Sequence, residues 1–156
     1  MAVLTIGERE YEARTDFKFE KVANEKYNEE DSQGNKQGGL INIYSKLLEF
    51  DILFLSAFWD CALSHLKSEK PSLESIENAI LKHIEENGDA DQLFKDAFRK
   101  LDNSGFFKQK VKKYWKNLNL MSDFGETENE KKAILEMIEE AKENRKFLTE
   151  QTTKQS

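Results

Sequence analysis

The stretch LLEFDILFLSAFWDCALSHL, Leu47 to Leu66, constrains the fold more than any other part of the chain. Drawn as a helix it is apolar on nearly every side, in a chain with 35% charged residues and a mean hydropathy of -0.77. A membrane-spanning helix needs about 18 to 20 uninterrupted apolar residues. Here Glu49, Asp51, Ser56 and Asp60 break the run and leave only Ile52 to Leu63 as its oily part. A helix that is greasy on several faces in a polar chain is the one that other elements wrap. The segment from Asp51 to Leu66 is therefore expected to be the core helix, with Phe54, Leu55, Phe58, Trp59 and Leu63 inside. A face kept for another subunit is the remaining reading.

A length of 156 residues supports one domain, and a domain of that size buries about two thirds of its unfolded surface, so it needs no covalent staple. The lone cysteine, Cys61, has no partner for an internal disulfide. The start of the chain lacks a positive segment followed by an apolar run, so the cytoplasm is the expected compartment. The net charge of -6 disfavours whole-surface binding to nucleic acid or anionic lipid. One proline, seven glycines and eleven phenylalanines fit a compact helical protein better than a loop-rich β sandwich.

Along the chain, AVLTIGEREYEART alternates with period two around Gly7-Glu8, which predicts a hairpin with a type II′ turn. Its register sets Ile6 opposite Arg9, Leu4 opposite Tyr11 and Ala2 opposite Ala13, on a shared apolar underside that must cover something. Phe19, Val22, Ala23 and Tyr27 then fall at helical spacing. Asn28 to Gly39 contains no apolar side chain and ends in paired glycines, the composition of a mobile solvated loop. Asp51 stands where a capping carboxylate would accept backbone N–H groups. The stretches GGLINIYSKLLEF and DILFLSAFWDCALSHL are thus two helices meeting at an elbow.

A further helix follows with Ser72 as N-cap, Leu73, Ile76, Ile80 and Ile84 as its inner stripe, and Asn87-Gly88 as its stop. The next has a capping-box pattern in Asp89 and Gln92, and a stripe of Leu93, Phe94, Ala97, Phe98 and Leu101. FFKQKVKKYWKNL places Phe107, Val111, Tyr114 or Trp115, and Leu118 on one side and five lysines elsewhere. A second capping box, Thr127 with Glu130, precedes a helix whose narrow stripe is Ile134, Met137, Ile138, Ala141 and Leu148. The chain then trails off in TEQTTKQS. From Asp123 to Glu150 there are nine acidic and five basic residues, so an acidic arm follows a basic segment.

No catalytic constellation emerges. The two histidines, His65 and His83, have no motif around them. Cys61 and His65 share a helix face but lack further ligands, and read as a packed thiol and a boundary imidazole. Asp102-Asn103-Ser104-Gly105 places its glycine at the wrong position for a calcium loop and is read as a helix stop. No phosphate-binding or dinucleotide glycine loop and no nucleophile elbow occurs. Neither an enzyme nor a metal or other cofactor is expected. Asp51 or Asp60 as a general acid or base would be the enzyme reading that remains. Lysines 108, 110, 112, 113 and 116, interleaved with Phe106, Phe107, Tyr114 and Trp115, leave nucleic-acid binding as the alternative function.

Taken in order, the hairpin ending in YEAR, the first helix, GGL, the Asp-led apolar helix, KPSLESI and LFKDAF resemble the tail assembly chaperones of long-tailed phages and prophages of Gram-positive bacteria. The likeness runs from about residue 3 to about residue 118. It implies a small, mainly helical, cytoplasmic protein of the infected cell that binds the tape measure protein and keeps it soluble until the tail tube polymerises. Such a protein is not an enzyme, self-associates, is absent from the mature virion, and in many members is also made as a longer frameshifted product.

The expected fold is mainly α: a multi-helix single domain with a short N-terminal β-hairpin and a C-terminal amphipathic helical arm. Residues 1–118 form the chaperone domain, and residues 119–156 a linker, an amphipathic helix and a tail. The apolar edge Phe107, Val111, Tyr114, Trp115 and Leu118 and the arm's stripe Ile134, Met137, Ile138, Ala141 and Leu148 suit each other in shape and charge. They are the expected partner and oligomer contacts, with the arm reaching a neighbouring copy in preference to its own chain.

Overall fold

Gly7 lies at a φ of 65° while Glu8 stays at negative φ, the φ combination of a type II′ turn. It joins β1 (Val3–Ile6) to β2 (Arg9–Glu12), with Leu4 opposite Tyr11 and Ile6 opposite Arg9. The Ala13 N–H donates to the Ala2 carbonyl at 2.9 Å. This is the expected register. Ala2, Leu4 and Ala13 are buried because the underside of the hairpin rests on a later helix, α4 (Leu73–Asn87). The computed structural model describes residues 2–30 and 36–150.

Asp16 accepts from the Phe19 N–H at 3.0 Å and starts α1 (Phe17–Lys26), whose Phe19, Val22 and Ala23 are buried. The stretch 28–39, expected as an unstructured loop, differs: Glu29–Glu30 pairs antiparallel with Lys36–Gln37 as β3 and β4, and α2 (Gly39–Leu48) begins inside the glycine pair. Residues 31–35 and the tail 151–156 lie outside the described residues. A side chain at Gly39 is excluded by packing, since a Cβ there would lie 1.8 Å from the Ala23 carbonyl oxygen of α1. Asn24 Oδ1 accepts from the Gly39 N–H at 2.8 Å, and Asn42 Nδ2 donates to the Tyr27 carbonyl at 2.8 Å. Gly39→Ala is therefore expected to force the two helices apart and cost about 1 to 3 kcal/mol, read as a lower urea midpoint.

The elbow exists. Phe50 adopts a positive φ of 59°, and the Asp51 carboxylate accepts from the Leu53 N–H at 3.1 Å. The second arm, α3, spans Leu53–Ala62. It is shorter than expected, because the chain tightens into a 3-10 segment at Ser64–Glu69. The Ser64 hydroxyl donates to the Asp60 carbonyl at 2.6 Å at this point, a side-chain bond that competes with continuation of the helix. Leu55, Phe58, Trp59 and Leu63 are buried, whereas Phe54 is only partly so and Ile52 and Leu53 are exposed. The centre of the molecule is shared with α2, which packs on α1, α3, α5, α6 and α7 and buries Leu40, Ile43, Tyr44 and Leu47 completely.

Ser72 caps α4 through the Ser75 N–H at 3.1 Å, and Gly88 ends it in the left-handed conformation. Helix α5 (Asp91–Asp102) buries all of Leu93, Phe94, Ala97, Phe98 and Leu101. The capping box expected there is not formed: Asp89 accepts from the Asp91 N–H, and Gln92 donates to Asp96 at 2.8 Å. Helix α6 (Lys108–Leu120), a 3-10 turn at Met121–Phe124 and α7 (Glu128–Thr149) follow. Thr127 caps α7 by accepting from the Glu130 N–H at 3.1 Å, while the Glu130 carboxylate accepts from the Glu126 N–H at 2.8 Å, one residue beyond the N-cap that a reciprocal box would use. The architecture is mainly α with an N-terminal hairpin, as expected.

Candidate partner-binding site

The basic segment and the acidic arm meet the fold separately. Helix α6 turns its apolar edge toward α1 and α2: Phe107 is buried 5.4 Å from the Phe19 ring, and Val111, Trp115 and Leu118 are buried. Trp115 Nε1 donates to the Tyr44 hydroxyl at 2.8 Å, and that hydroxyl donates to Asp102 at 2.7 Å. Burial first, and then the bond to Asp102, push the Tyr44 phenol well above its usual range. Tyr114 is half-buried beside Tyr44, with its phenol raised by burial and by the Glu49 charge. Sequence reading passed over Tyr44, although a phenol within an otherwise apolar helical stripe is a signal that a polar partner comes from elsewhere.

Helix α7 lies on α5 and α2 of its own chain. Ile138 and Leu148 enter the common core, Ile134 and Ala141 are half-buried against it, and Met137 is 43% exposed. Within one chain, α7 and α6 are not matched along their lengths. Among the described residues no ion pair joins an α6 lysine to an α7 glutamate: Lys110 pairs with Glu20 of α1, and Arg145 of α7 pairs with Asp102 at 3.1 Å. An aromatic link does join the two helices, with the Arg145 guanidinium 4.8 Å from the centre of the Trp115 ring. Arg145→Ala is expected to cost about 1 kcal/mol and to raise hydrogen exchange selectively in α7.

Among the described residues, two grooves have floors built mainly of apolar side chains. One, of about 230 Å³, lies between the start of α3 and the middle of α4, with Ile52, Leu53, Ile80, Leu81 and Ile84 as its apolar lining and Glu77 at its edge. Leu53 is 70%, Leu81 54% and Ile52 48% exposed, so the start of the expected core helix keeps one face open. The other, of about 520 Å³, lies between α2 and α6, with Ile41, Tyr114, Leu118 and Met121 as floor and Lys110 and Lys113 as rim. A larger polar cleft of about 770 Å³ beside α5 is lined by Asp96, Arg99, Lys100, Asp102 and Arg145. Its charges serve the fold, because Arg145 holds Asp102 and Arg99 Nε donates to the Leu148 carbonyl at 3.0 Å.

Among the described residues, no cluster of three or more His, Cys, Asp or Glu is arranged to hold a metal ion, and no helix is long and apolar enough to cross a membrane. Cys61 is buried, and burial first and then the Asp60 charge push its thiol up, away from reactivity. Asp60 has both carboxylate oxygens occupied by Tyr27, Lys26 and Lys70.

The model of the family described as phage tail assembly chaperone protein, TAC, matches residues 3–116. The chain belongs to that family. The matched span runs from the hairpin into α6 as far as Lys116, so the α3–α4 groove lies wholly within it, whereas the α2–α6 groove also draws on Asn117, Leu118 and Met121 beyond its end. No significant match was found among the curated proteins or the solved structures. Within the chaperone, the end of α6, the 3-10 turn and α7 lie beyond the matched span.

Proposed function

We propose that this chain is the tail assembly chaperone that binds the tape measure protein in the infected cell and keeps it soluble until the tail tube forms around it. The observation that carries the reading is the pairing of the family match with large aliphatic side chains, Leu53, Leu81 and Ile52, left exposed together along one groove. A surface of that kind suits a partner whose own apolar stripe must be hidden from water. The function needs no chemistry, and the chain is read as a binding protein without cofactor, acting in the host cytoplasm and left behind by the finished virion. Self-association, which the family resemblance implies, would use surfaces other than the stripe of α7, because Ile138 and Leu148 already fill their own core.

Nucleic-acid binding through Lys108 to Lys116 is the weaker reading. Stacking on single-stranded bases needs exposed aromatic faces, yet Phe107 and Trp115 point inward, Tyr114 is half-buried, and the exposed ring of Phe106 is stacked edge-on against Phe17 at 4.8 Å. The test is co-expression with the tape measure protein of the same phage. A tape measure protein that is insoluble alone is expected to appear in the soluble fraction bound to this chain. If it remains insoluble when the chaperone is abundant and folded, the proposed function fails.

A further inference from the structure

We infer that the groove between α3 and α4 is where the chaperone grips its client, and that the occupant is an amphipathic helix of the tape measure protein carrying aliphatic side chains bordered by lysine or arginine. This rests on the chaperone reading above and adds to it a place and a chemistry. Water meets Ile52, Leu53 and Leu81 here although Ile80, one residue from Leu81, belongs to the core. The apolar arc of α4 is thus wider than α3 covers, and a third helix laid along the cleft would complete it, ridge into groove.

Charge selects which helix fits. Glu77, Leu81 and Glu85 stand at i, i+4 and i+8 on one exposed row of α4, so acidic groups border the apolar lining along its length. Among the described residues neither Glu77 nor Glu85 has a cation within ion-pair distance, while Lys82 is placed 4.0 Å from Glu86. Asp51 adds a carboxylate at the start of α3. A basic border on the client would satisfy this rim, and an acidic one would be repelled. The α2–α6 groove has the opposite rim, Lys110 and Lys113, so the two surfaces prefer different partners. A cleft of about 230 Å³ anchors few side chains, which makes a single contact weak and reversible. Repeated contacts along a long client would supply the hold, and tube polymerisation could displace them one at a time.

The full-length chaperone can be titrated against a fluorescent synthetic helix with a leucine stripe and lysine flanks, and against the same stripe with glutamate flanks. The lysine-flanked peptide is expected to bind more tightly, and Leu53→Asp with Leu81→Asp to weaken it at least tenfold, about 1.4 kcal/mol. Glu77→Lys with Glu85→Lys should reverse the preference between flanks, and Met121→Asp in the other groove should change nothing. The altered side chains are exposed, so melting temperatures should match the parent's and report that folding is intact. Undiminished binding by the Leu53/Leu81 variant, or binding lost only with Met121→Asp, would overturn the assignment. Co-expression separates the two levels. A parent chain that fails to solubilise the tape measure protein removes the function itself. If parent and Leu53/Leu81 variant solubilise it equally, the function stands and the groove is misassigned.

Discussion

Phe58→Ala is expected to lower stability by about 3 to 5 kcal/mol and the melting temperature by about 10 °C or more. Phe58 is fully buried in α3, with its ring 5.8 Å from Phe19 and 5.3 Å from Trp59. Truncation would leave a cavity where α1 and α3 meet, and neither helix has freedom to collapse into it. The Gly39 contact fixes α1 against α2, and the elbow at Phe50 and Asp51 fixes α2 against α3. An unchanged melting curve would show that Phe58 does not occupy the core.

The second large effect concerns Asp60, which is 2% exposed and joins three pieces of chain. The Tyr27 hydroxyl donates to it at 2.6 Å and Lys26 Nζ at 3.3 Å, both from the end of α1, and Lys70 donates from beyond the 3-10 segment. Asp60→Ala would leave the Lys70 ammonium and the Tyr27 hydroxyl without their acceptor, at a cost of about 3 kcal/mol. Burial alone would raise the Asp60 carboxyl, but the bonds from Lys70 and Tyr27, with the charges of Lys70 and Lys26, hold it below the usual carboxylate value. A folded pKa lowered in this way contributes stability that is complete above the unfolded value, about 4, and is lost as pH falls through the folded one. The gap between parent and Asp60→Asn in urea midpoint should therefore be widest near neutrality and should narrow below about pH 4. A gap that widens on acidification would mean that the carboxylate is not held by these cations.

These two sites also mark what the sequence makes legible. Burial of Phe58 follows from local pattern, as do the stripe of α5, the hairpin register and the Ser72 and Thr127 caps, because each depends on spacing within one element. The extent of α3 was less legible: its C-terminal end is set by the Ser64 hydroxyl bond and by Lys70 pulling the 3-10 segment onto Asp60. Gly39 reads as loop composition, yet its role is a close approach to Ala23, a contact between helices that no local pattern encodes. The arm illustrates the same limit. Its stripe was visible, but whether Ile138 and Leu148 would meet α6, a neighbour, or α5 and α2 depended on which apolar surface remained uncovered once the other helices had packed. The open groove was missed for that reason too. Leu53 and Leu81 lay outside the inner stripes and were their own signal, but how far α3 would cover α4 is a property of the assembled fold.

The most direct measurement is hydrogen exchange on the chaperone alone and on its purified complex with the tape measure protein. The account predicts that protection rises on binding in the first turns of α3 and in the middle of α4, around Leu53 and Leu81, while the lysine face of α6 keeps the exchange rates of the free protein. Protection confined to α6, or no change anywhere in a complex that demonstrably holds together, would contradict it.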